Sequence, residues 1–309
     1  MKTILVTGGL GFIGYNLCKL LCRDNKVIVL DNLYCTNNNA KNLNLEALVI
    51  GDVNQDHKKL HKYKFDEIYH LACPASPKTY QRDPNFTLDT CYIGTKNMIE
   101  LAKKNNAKLL FSSTSEVYGN PLIHPQTESY WGNVNCDGIR SCYDEGKRIA
   151  ETLLINSGIN YKIIRIFNTY GPFMDIDDGR VVSNFICQAL QNKDITIYGD
   201  GSQTRSFQYI YDLLMGMTMM MNSEYQGPVN IGNPGEYTVK ELAEKIIQMT
   251  NSNSKIIYEE LPSDDPVKRK PDITLAKNTL GWSPKFSLDT GLKYTIEYFK
   301  TVLESSTSK

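Results

Sequence analysis

Lys2-Thr3-Ile4-Leu5-Val6-Thr7-Gly8-Gly9-Leu10-Gly11-Phe12-Ile13-Gly14 is the stretch whose reading decides the fold. A short apolar strand, Lys2 to Thr7, runs directly into glycines, and the glycines lead into a segment that reads as a helix to about Asp24. The run satisfies both G-x-x-G-x-x-G, at Gly8, Gly11 and Gly14, and G-x-G-x-x-G, at Gly9, Gly11 and Gly14. Glycines at a strand-to-helix turn permit the tight bend and let the backbone approach a pyrophosphate, which then rests on the helix N-terminus. Gly8, Gly11, Phe12, Ile13 and Gly14 are therefore expected to contact a dinucleotide.

A glycine-rich turn alone is weak evidence, and the next strand strengthens it. Val27 to Leu30 ends in Asp31, seventeen residues beyond Gly14. An acid there binds the ribose hydroxyls of NAD and repels a 2′-phosphate, and Asn32 and Leu33 beside it offer no arginine to NADP. NAD is the expected cofactor, with Asp31 and Asn32 among its contacts.

Further strands follow at regular intervals. Ala47 to Ile50 ends at Gly51-Asp52-Val53, and Glu67 to Leu71 ends at Ala72-Cys73-Pro74. Strand ends of a doubly wound sheet face the ligand, so Asp52 and Val53 are expected near the adenine, and Leu71, Ala72 and Cys73 nearer the middle of the cofactor. Cys73 reads as a small lining residue, since no base or disulfide partner adjoins it in sequence. Phe86 to Lys104 predicts a long helix, Leu109 to Ser113 a fifth strand, Tyr143 to Asn156 a helix and Tyr161 to Phe167 a sixth strand. This alternation indicates an α/β fold, a Rossmann-type doubly wound parallel sheet with helices on both faces.

The fifth strand carries the chemistry. It ends in Ser113-Thr114-Ser115-Glu116, which places Thr114, Ser115 and Glu116 at the ligand side, and a helix follows with Tyr143 and Lys147 four residues apart on one face. A lysine cation there favours the phenolate, drawing the tyrosine down from about 10 so that it can take a proton from a hydroxyl near neutral pH. Tyr15/Lys19 and Tyr92/Lys96 share the spacing but read as ordinary helix neighbours, because neither follows such a strand.

Composition removes other classes. Lys+Arg and Asp+Glu both number 34, so there is no basic excess to favour nucleic acid. Eight cysteines without a CxxC pair fit a reducing compartment, and the Cys18/Cys22 and His57/His61 pairs read as helix neighbours, so no metal is expected. No signal peptide is read at the N-terminus and no apolar run approaches membrane-spanning length; the expectation is a soluble, cytoplasmic protein without a membrane anchor.

Beyond Asn168-Thr169-Tyr170-Gly171-Pro172 the pattern turns irregular, and the segments 199–205 and 264–271 read as loops offering cations. Residues 1–172, rejoined by about 207–232, are expected to form the NAD-binding domain, and 173–206 with 233–309 a smaller C-terminal substrate-binding domain. Met215 to Met221 reads as core helix, and the polar tail from Glu304 is expected to fray.

Together these motifs carry a resemblance over nearly the whole chain. His-Leu-Ala-Cys-Pro-Ala-Ser-Pro at 70–77, Ser-Thr-Ser-Glu-Val-Tyr-Gly at 113–119, Cys-Tyr-Asp-Glu-Gly-Lys-Arg at 142–148, Arg-Ile-Phe-Asn-Thr-Tyr-Gly-Pro at 165–172, Asp-Gly-Arg-Val-Val-Ser-Asn-Phe at 178–185, Gly-Ser-Gln-Thr-Arg-Ser-Phe-Gln-Tyr at 201–209 and Lys-Arg-Lys-Pro-Asp at 268–272 resemble the extended short-chain dehydrogenase/reductases, and among them the UDP-glucuronate decarboxylases. The resemblance implies a UDP-sugar substrate, UDP-glucuronate, decarboxylated to UDP-xylose with tightly bound NAD. It implies Thr114, Tyr143 and Lys147 as the catalytic set, Glu116 assisting at the sugar ring, and Arg269 contacting substrate as a proton donor or water-positioner. Ser115, Asn168, Arg180, Tyr198, Gln203 and Arg205 would hold the UDP-sugar, and relatives pair as homodimers through the helices after the fourth and fifth strands.

Two departures stand out: Asp89 and Cys91 occupy places where Lys and Asn are expected, and the segment between Ala150 and Arg165 is about four residues shorter than usual. The nearest rival activities are nucleotide-sugar 4,6-dehydratase and 4-epimerase. Dehydratases carry an Asp where Ser115 stands, and epimerases usually lack a glutamate at position 116. A non-catalytic NAD-binding module would keep the glycines without needing Thr114, Tyr143 and Lys147 together.

Overall fold

In the computed structural model, which describes residues 1–35, 40–260 and 268–307, the apolar runs become parallel strands β1 (Thr3–Thr7), β2 (Lys26–Asp31), β3 (Ala47–Ile50), β4 (Glu67–His70), β5 (Lys108–Thr114) and β6 (Tyr161–Ile166). A seventh strand, Pro228–Ile231, pairs in parallel with β6, and the order across the sheet is 228–231, β6, β5, β4, β1, β2, β3. The chain winds outward from β1 to β3, returns to β4 on the other side of β1, and winds out the opposite way. Where the order reverses, between β1 and β4, a crevice opens at the carboxyl ends of the strands, the position at which such sheets bind ligands. This is the expected Rossmann-type architecture.

Among the described residues the α-helices are α1 (Phe12–Leu21), α2 (Pro77–Tyr80), α3 (Pro84–Asp89), α4 (Thr95–Asn105), α5 (Ser141–Ile155), α6 (Val181–Leu190), α7 (Ile210–Asn222), α8 (Val239–Thr250), α9 (Thr274–Leu280) and α10 (Leu288–Thr307). Because side chains alternate along a strand and both faces are covered, the strands read as continuous apolar runs. Ile4, Val6, Val27 and Val29 pack on one face with Leu17 and Cys18 of α1 and Leu213, Met217, Met220 and Met221 of α7. Leu5, Ile28 and Leu30 pack on the other with Met98 and Ala102 of α4 and Ala150 and Leu154 of α5. The methionine run is core helix as read, except that Met215 faces outward.

Two glycines set the turn into α1. Gly8 has φ +67°, and a Cβ on it would lie 2.9 Å from the Ala72 backbone. A Cβ on Gly14 would lie 2.1 Å from the Gly8 carbonyl oxygen, so no larger residue lets α1 approach β1 this closely.

The structure corrects several boundaries. The long helix predicted over Phe86 to Lys104 is two helices, α3 and α4, joined by a π-helical turn at Thr90–Gly94. Asp83 caps α3 by accepting from the Phe86 N–H at 2.9 Å and Pro84 takes the first helical position, a start signal that periodicity alone passes over. Helix α5 begins at Ser141, two residues before Tyr143, and β5 extends to Thr114.

The second half is more regular than its composition predicts. The polar tail expected to fray from Glu304 is instead helical to Thr307 as the end of α10. The two cation-bearing segments meet in one sheet, where Thr204–Ser206 pairs with Glu236–Thr238 on one side and with Lys268–Arg269 on the other, placing Arg269 opposite Arg205. Residues 264–267 of the second segment lie outside the described residues. Among the described residues no helix is long and apolar enough to cross a membrane.

A buried ion pair ties α5 to the sheet. Glu151 accepts from Arg165 Nε at 3.0 Å and Nη2 at 2.7 Å and from the Ser113 hydroxyl at 2.5 Å. Arg165 also donates to Tyr118 OH and to the Glu128 carbonyl oxygen. Glu151→Ala leaves the guanidinium buried without its carboxylate, and a loss of about 3–5 kcal/mol is expected, measured as a fall in the urea midpoint.

Candidate active site

The crevice widens into a cleft of about 1240 Å³, and every residue singled out from the sequence for cofactor, substrate or catalysis lines it. At the cofactor end, Asp31 closes β2 with both carboxylate oxygens engaged by backbone: Oδ2 accepts from Leu10 N–H at 2.9 Å and Oδ1 from Leu33 N–H at 2.8 Å. Burial pushes this carboxyl up, and the two N–H groups partly restrain it. Asn32 donates to Asp52 Oδ2 at 2.8 Å, joining the ends of β2 and β3, and Val53 continues that wall. Leu71, Ala72 and Cys73 form the floor beyond β4. Beneath them His70 lies between Thr7 and Thr95, held down at about 3 by burial and by the Lys147 charge.

The residues fit a dinucleotide. Gly11 stands just before α1 and no side chain caps the helix's first N–H groups, which leaves them for phosphate, and the Asp31 oxygens keep lone pairs for ribose hydroxyls.

Helix α5 lays its first turns over the end of β5. Lys147, 2% exposed, donates to the Ser112 carbonyl oxygen at 2.8 Å and lies 4.7 Å from the Phe111 ring centroid. Tyr143 stacks on Tyr80 with centroids 5.0 Å apart, and the Thr114 hydroxyl beside its phenol works against the rise that burial causes. The Tyr/Lys spacing predicts a lowered tyrosine, but in this chain Tyr143 sits well above its ordinary range. Burial dominates, the nearby Cys73 sulfur adds to it, and the Lys147 ammonium is directed at the Ser112 carbonyl instead of the phenol.

Glu116 sits between two arginines. Arg269 Nη1 bonds one carboxylate oxygen and Arg140 Nη2 the other, the latter at 2.5 Å, while Arg269 Nη2 reaches the Gly119 carbonyl oxygen. Burial pushes the Glu116 carboxyl up, but the two guanidiniums outweigh it and hold the group down at about 2. Glu116 therefore stays ionised near neutrality and cannot donate a proton there.

The remaining predicted substrate contacts come from the second half. Arg205, 9% exposed, donates to the Thr204 carbonyl oxygen, and Gln203 donates to the Tyr198 carbonyl oxygen at 2.7 Å. Arg180 pairs with Asp178 through Nε and Nη2 and stands over the Phe12 ring. Asn168 and Ser115 complete the wall.

Sequence reasoning missed Arg140, Tyr80 and Asp144. Arg140 precedes the helix start and Tyr80 belongs to α2, and neither position has a spacing that marks it. Asp144 lies in the quoted 142–148 motif. It is 6% exposed with Oδ1 lacking a hydrogen-bond partner, and burial, then the Glu116 charge, raise its carboxyl to about 7. The expected ordinary roles of Tyr15/Lys19 and Tyr92/Lys96 match the structure, where Tyr15 packs on Phe173 and Lys96 lies over the Tyr92 ring.

The model of the NAD dependent epimerase/dehydratase family matches residues 4–232. UDP-glucuronic acid decarboxylase 6 of Arabidopsis thaliana is 50% identical over 303 residues, covering 96% of this chain and 88% of its own. UDP-glucuronic acid decarboxylase 1 of Xenopus tropicalis is 47% identical over 312 residues, covering 98% and 73%. Among solved structures, UDP-glucuronic acid 4-epimerase from Bacillus cereus in complex with UDP-glucuronic acid and NAD superposes with a TM-score of 0.87 at 26% identity, covering 97% of this chain and 99% of its own.

The raised Asp144 carboxyl has a signed consequence. Its folded value, about 7, exceeds the ordinary 3.8, so the folded state holds this proton longer than the unfolded chain does. Stability is lost as pH rises between these values and stays constant above them. Asp144→Asn should therefore gain stability over the parent from about pH 4 to about pH 7, reaching on the order of 2–4 kcal/mol, with no further gain at pH 8. Urea denaturation at pH 5 and pH 8 checks this; an equal difference at both would refute it.

Proposed function

Because the chain belongs to the NAD dependent epimerase/dehydratase family, we propose that it works as that chemistry permits on one nucleotide sugar, converting UDP-glucuronate to UDP-xylose and carbon dioxide with NAD retained and recycled. The observation that carries the reading is the meeting of Thr114 and Tyr143 at the end of β5 with the Arg140–Glu116–Arg269 cluster in the cleft that also holds the dinucleotide turn. Close identity to proteins named UDP-glucuronic acid decarboxylase supports the choice of substrate.

When bound, NAD supplies a reversible hydride acceptor at C4 of the sugar. Tyr143 takes the C4 hydroxyl proton, and Thr114 hydrogen-bonds the developing carbonyl. Burial holds the Tyr143 phenol protonated in the chain alone, so its own proton must first leave to solvent, a loss that the positive charge of bound NAD would favour. The C5 carboxylate then belongs to a β-keto acid, and carbon dioxide leaves as its bonding pair flows into the C4 carbonyl. Arg269, fixed by Glu116 and the Gly119 carbonyl, is the donor or water-positioner for reprotonation at C5. Ionised Glu116 orients the guanidiniums. Ser115, where a dehydratase places an acid, is a weak proton donor and does not favour expulsion of a hydroxyl.

The assignment of Gly8, Gly11, Asp31 and their neighbours to NAD, and of Asn168, Arg180, Tyr198, Gln203 and Arg205 to UDP-sugar, belongs to the same reading. So does the division into an NAD-binding domain, 1–172 with 207–232, and a UDP-sugar-binding domain, 173–206 with 233–309. Eight free thiols support a reducing, cytoplasmic setting. Leu88, Tyr92 and Ile93 near one helix and Ile149 and Ile155 on α5 are exposed apolar residues on neighbouring elements, which supports a homodimer through these helices.

Incubation with UDP-glucuronate in deuterated water, followed by NMR, should yield UDP-xylose labelled at C5 without lasting NADH. Its 4-epimer, or unchanged hexuronate, would overturn the decarboxylase reading. Tyr143→Phe should lower turnover by at least about 100-fold while NAD stays bound, and near-parental turnover would remove Tyr143 from its role. Light scattering at micromolar concentration should give twice the chain mass, and Ile149→Glu should reduce it to the monomer.

A further inference from the structure

Two thiols that the decarboxylation does not use face each other next to the catalytic helix. Cys73 follows β4, Cys91 lies in the π-helical turn Thr90–Gly94, and their sulfurs are 3.5 Å apart. Cys73 is partly exposed and lines the cleft, so a small solute can reach it, whereas Cys91 is 2% exposed. On its other side Cys91 is seated against α5: a Cβ built on Gly146 would come 3.0 Å from its sulfur. Gly146 stands between Tyr143 and Lys147 in sequence.

We propose that Cys73 and Cys91 are a modification site, a dithiol that a hydroperoxide converts to a disulfide and that thereby displaces the helix carrying Tyr143 and Lys147. The hydrogen bond from Cys91 and the Lys147 charge outweigh burial and bring the Cys73 thiol down to about 7, while Cys91 is pushed up. Cys73 is thus the sulfur that reacts first. Its thiolate attacks one peroxide oxygen, the O–O bond breaks, and the alcohol or water leaves with a proton from solvent. The Cys91 thiol then attacks the sulfenic sulfur, the S–S bond forms, the S–O bond breaks and water leaves. Two electrons pass from sulfur to peroxide oxygen.

A disulfide bond is about 2.05 Å long, so the sulfurs must close by about 1.5 Å. The floor after β4 is pinned to Thr7, whose hydroxyl oxygen accepts from the Leu71 and Ala72 N–H groups at 3.2 Å, so the turn at Cys91 takes up the movement. That shift loosens the seat of Gly146, and a displacement of about 1 Å in a catalytic group costs about 100-fold in rate.

The test uses the NAD-bound enzyme treated with hydrogen peroxide, with and without later dithiothreitol. Mass spectrometry of tryptic peptides should find the Cys73 and Cys91 peptides joined, and turnover should fall at least about 10-fold and recover with dithiothreitol. Cys91→Ser and Cys91→Ala should keep basal turnover and lose both the linkage and the dithiothreitol-reversible inhibition. The proposal is overturned by absence of the linkage, by pairing of Cys73 with Cys35 or Cys142 instead, by full turnover in the linked protein, or by reversible inhibition persisting in both variants. Turnover as a readout rests on the decarboxylase reading. Should the untreated protein prove inactive on UDP-glucuronate, that reading fails separately, and the peptide linkage still decides whether the disulfide forms.

Discussion

A carboxylate taken out of water between two guanidiniums is the contact on which the site depends. Glu116 reaches Arg140 at the start of α5 and Arg269 in the strand Lys268–Arg269, residues 24 and 153 positions away along the chain. Desolvating each ion costs several kcal/mol, and a buried carboxylate is tolerable only when its partners are all in place. That condition draws three elements to one point: the turn after β5, the first residue before α5, and the edge of the small sheet opposite Arg205. The second half of the chain is thereby held over the carboxyl ends of the strands.

Helix α5 divides its length between stability and chemistry. Its later turns bury Ala150 and Leu154 in the core and fix Glu151 to Arg165, while its first turns carry Tyr143 and Lys147 into the cleft. The strong anchoring at one end permits unfavourable burial at the other. Asp144 is held in a state that water would not favour, its carboxyl retaining its proton to about neutral pH, and burial holds the Tyr143 phenol further from ionising than water would. Conflict between local comfort and burial is the usual mark of a working site.

The π-helical turn Thr90–Gly94 breaks what periodicity reads as one helix, and it does so where packing is tightest. A Cβ on Gly94 would meet Val53 at 2.7 Å, and Cys91 fills the space between Cys73 and Gly146. A regular helix through these residues would carry Cys91 out of that position. Such turns recur beside functional sites because the inserted residue re-aims its neighbours without ending the helix.

The parts of this protein legible from sequence are those governed by short-range rules. Glycine at positions 8 and 14 is demanded by backbone contact, apolar runs of four to seven residues mark strands covered on both faces, and an acid ending β2 follows from the geometry of ribose contact. These rules act within a few residues, so order in the chain is enough to read the fold, the cofactor crevice and the Tyr143/Lys147 face. The partners of charges are set differently. Arg140, Tyr80 and the unpartnered oxygen of Asp144 matter because of what approaches them through space, and the direction of the Tyr143 shift reverses because burial, invisible in the spacing, outweighs a lysine whose ammonium is turned to the Ser112 carbonyl. The sequence by itself determined the dinucleotide turn, the acid that ends β2 and the Thr114, Tyr143 and Lys147 set; only the tertiary structure decided which further groups, Arg140 and Tyr80 among them, join these in the cleft and what their charge states and pairings are, because desolvation and Coulomb attraction depend on distance and burial in three dimensions and not on separation along the chain.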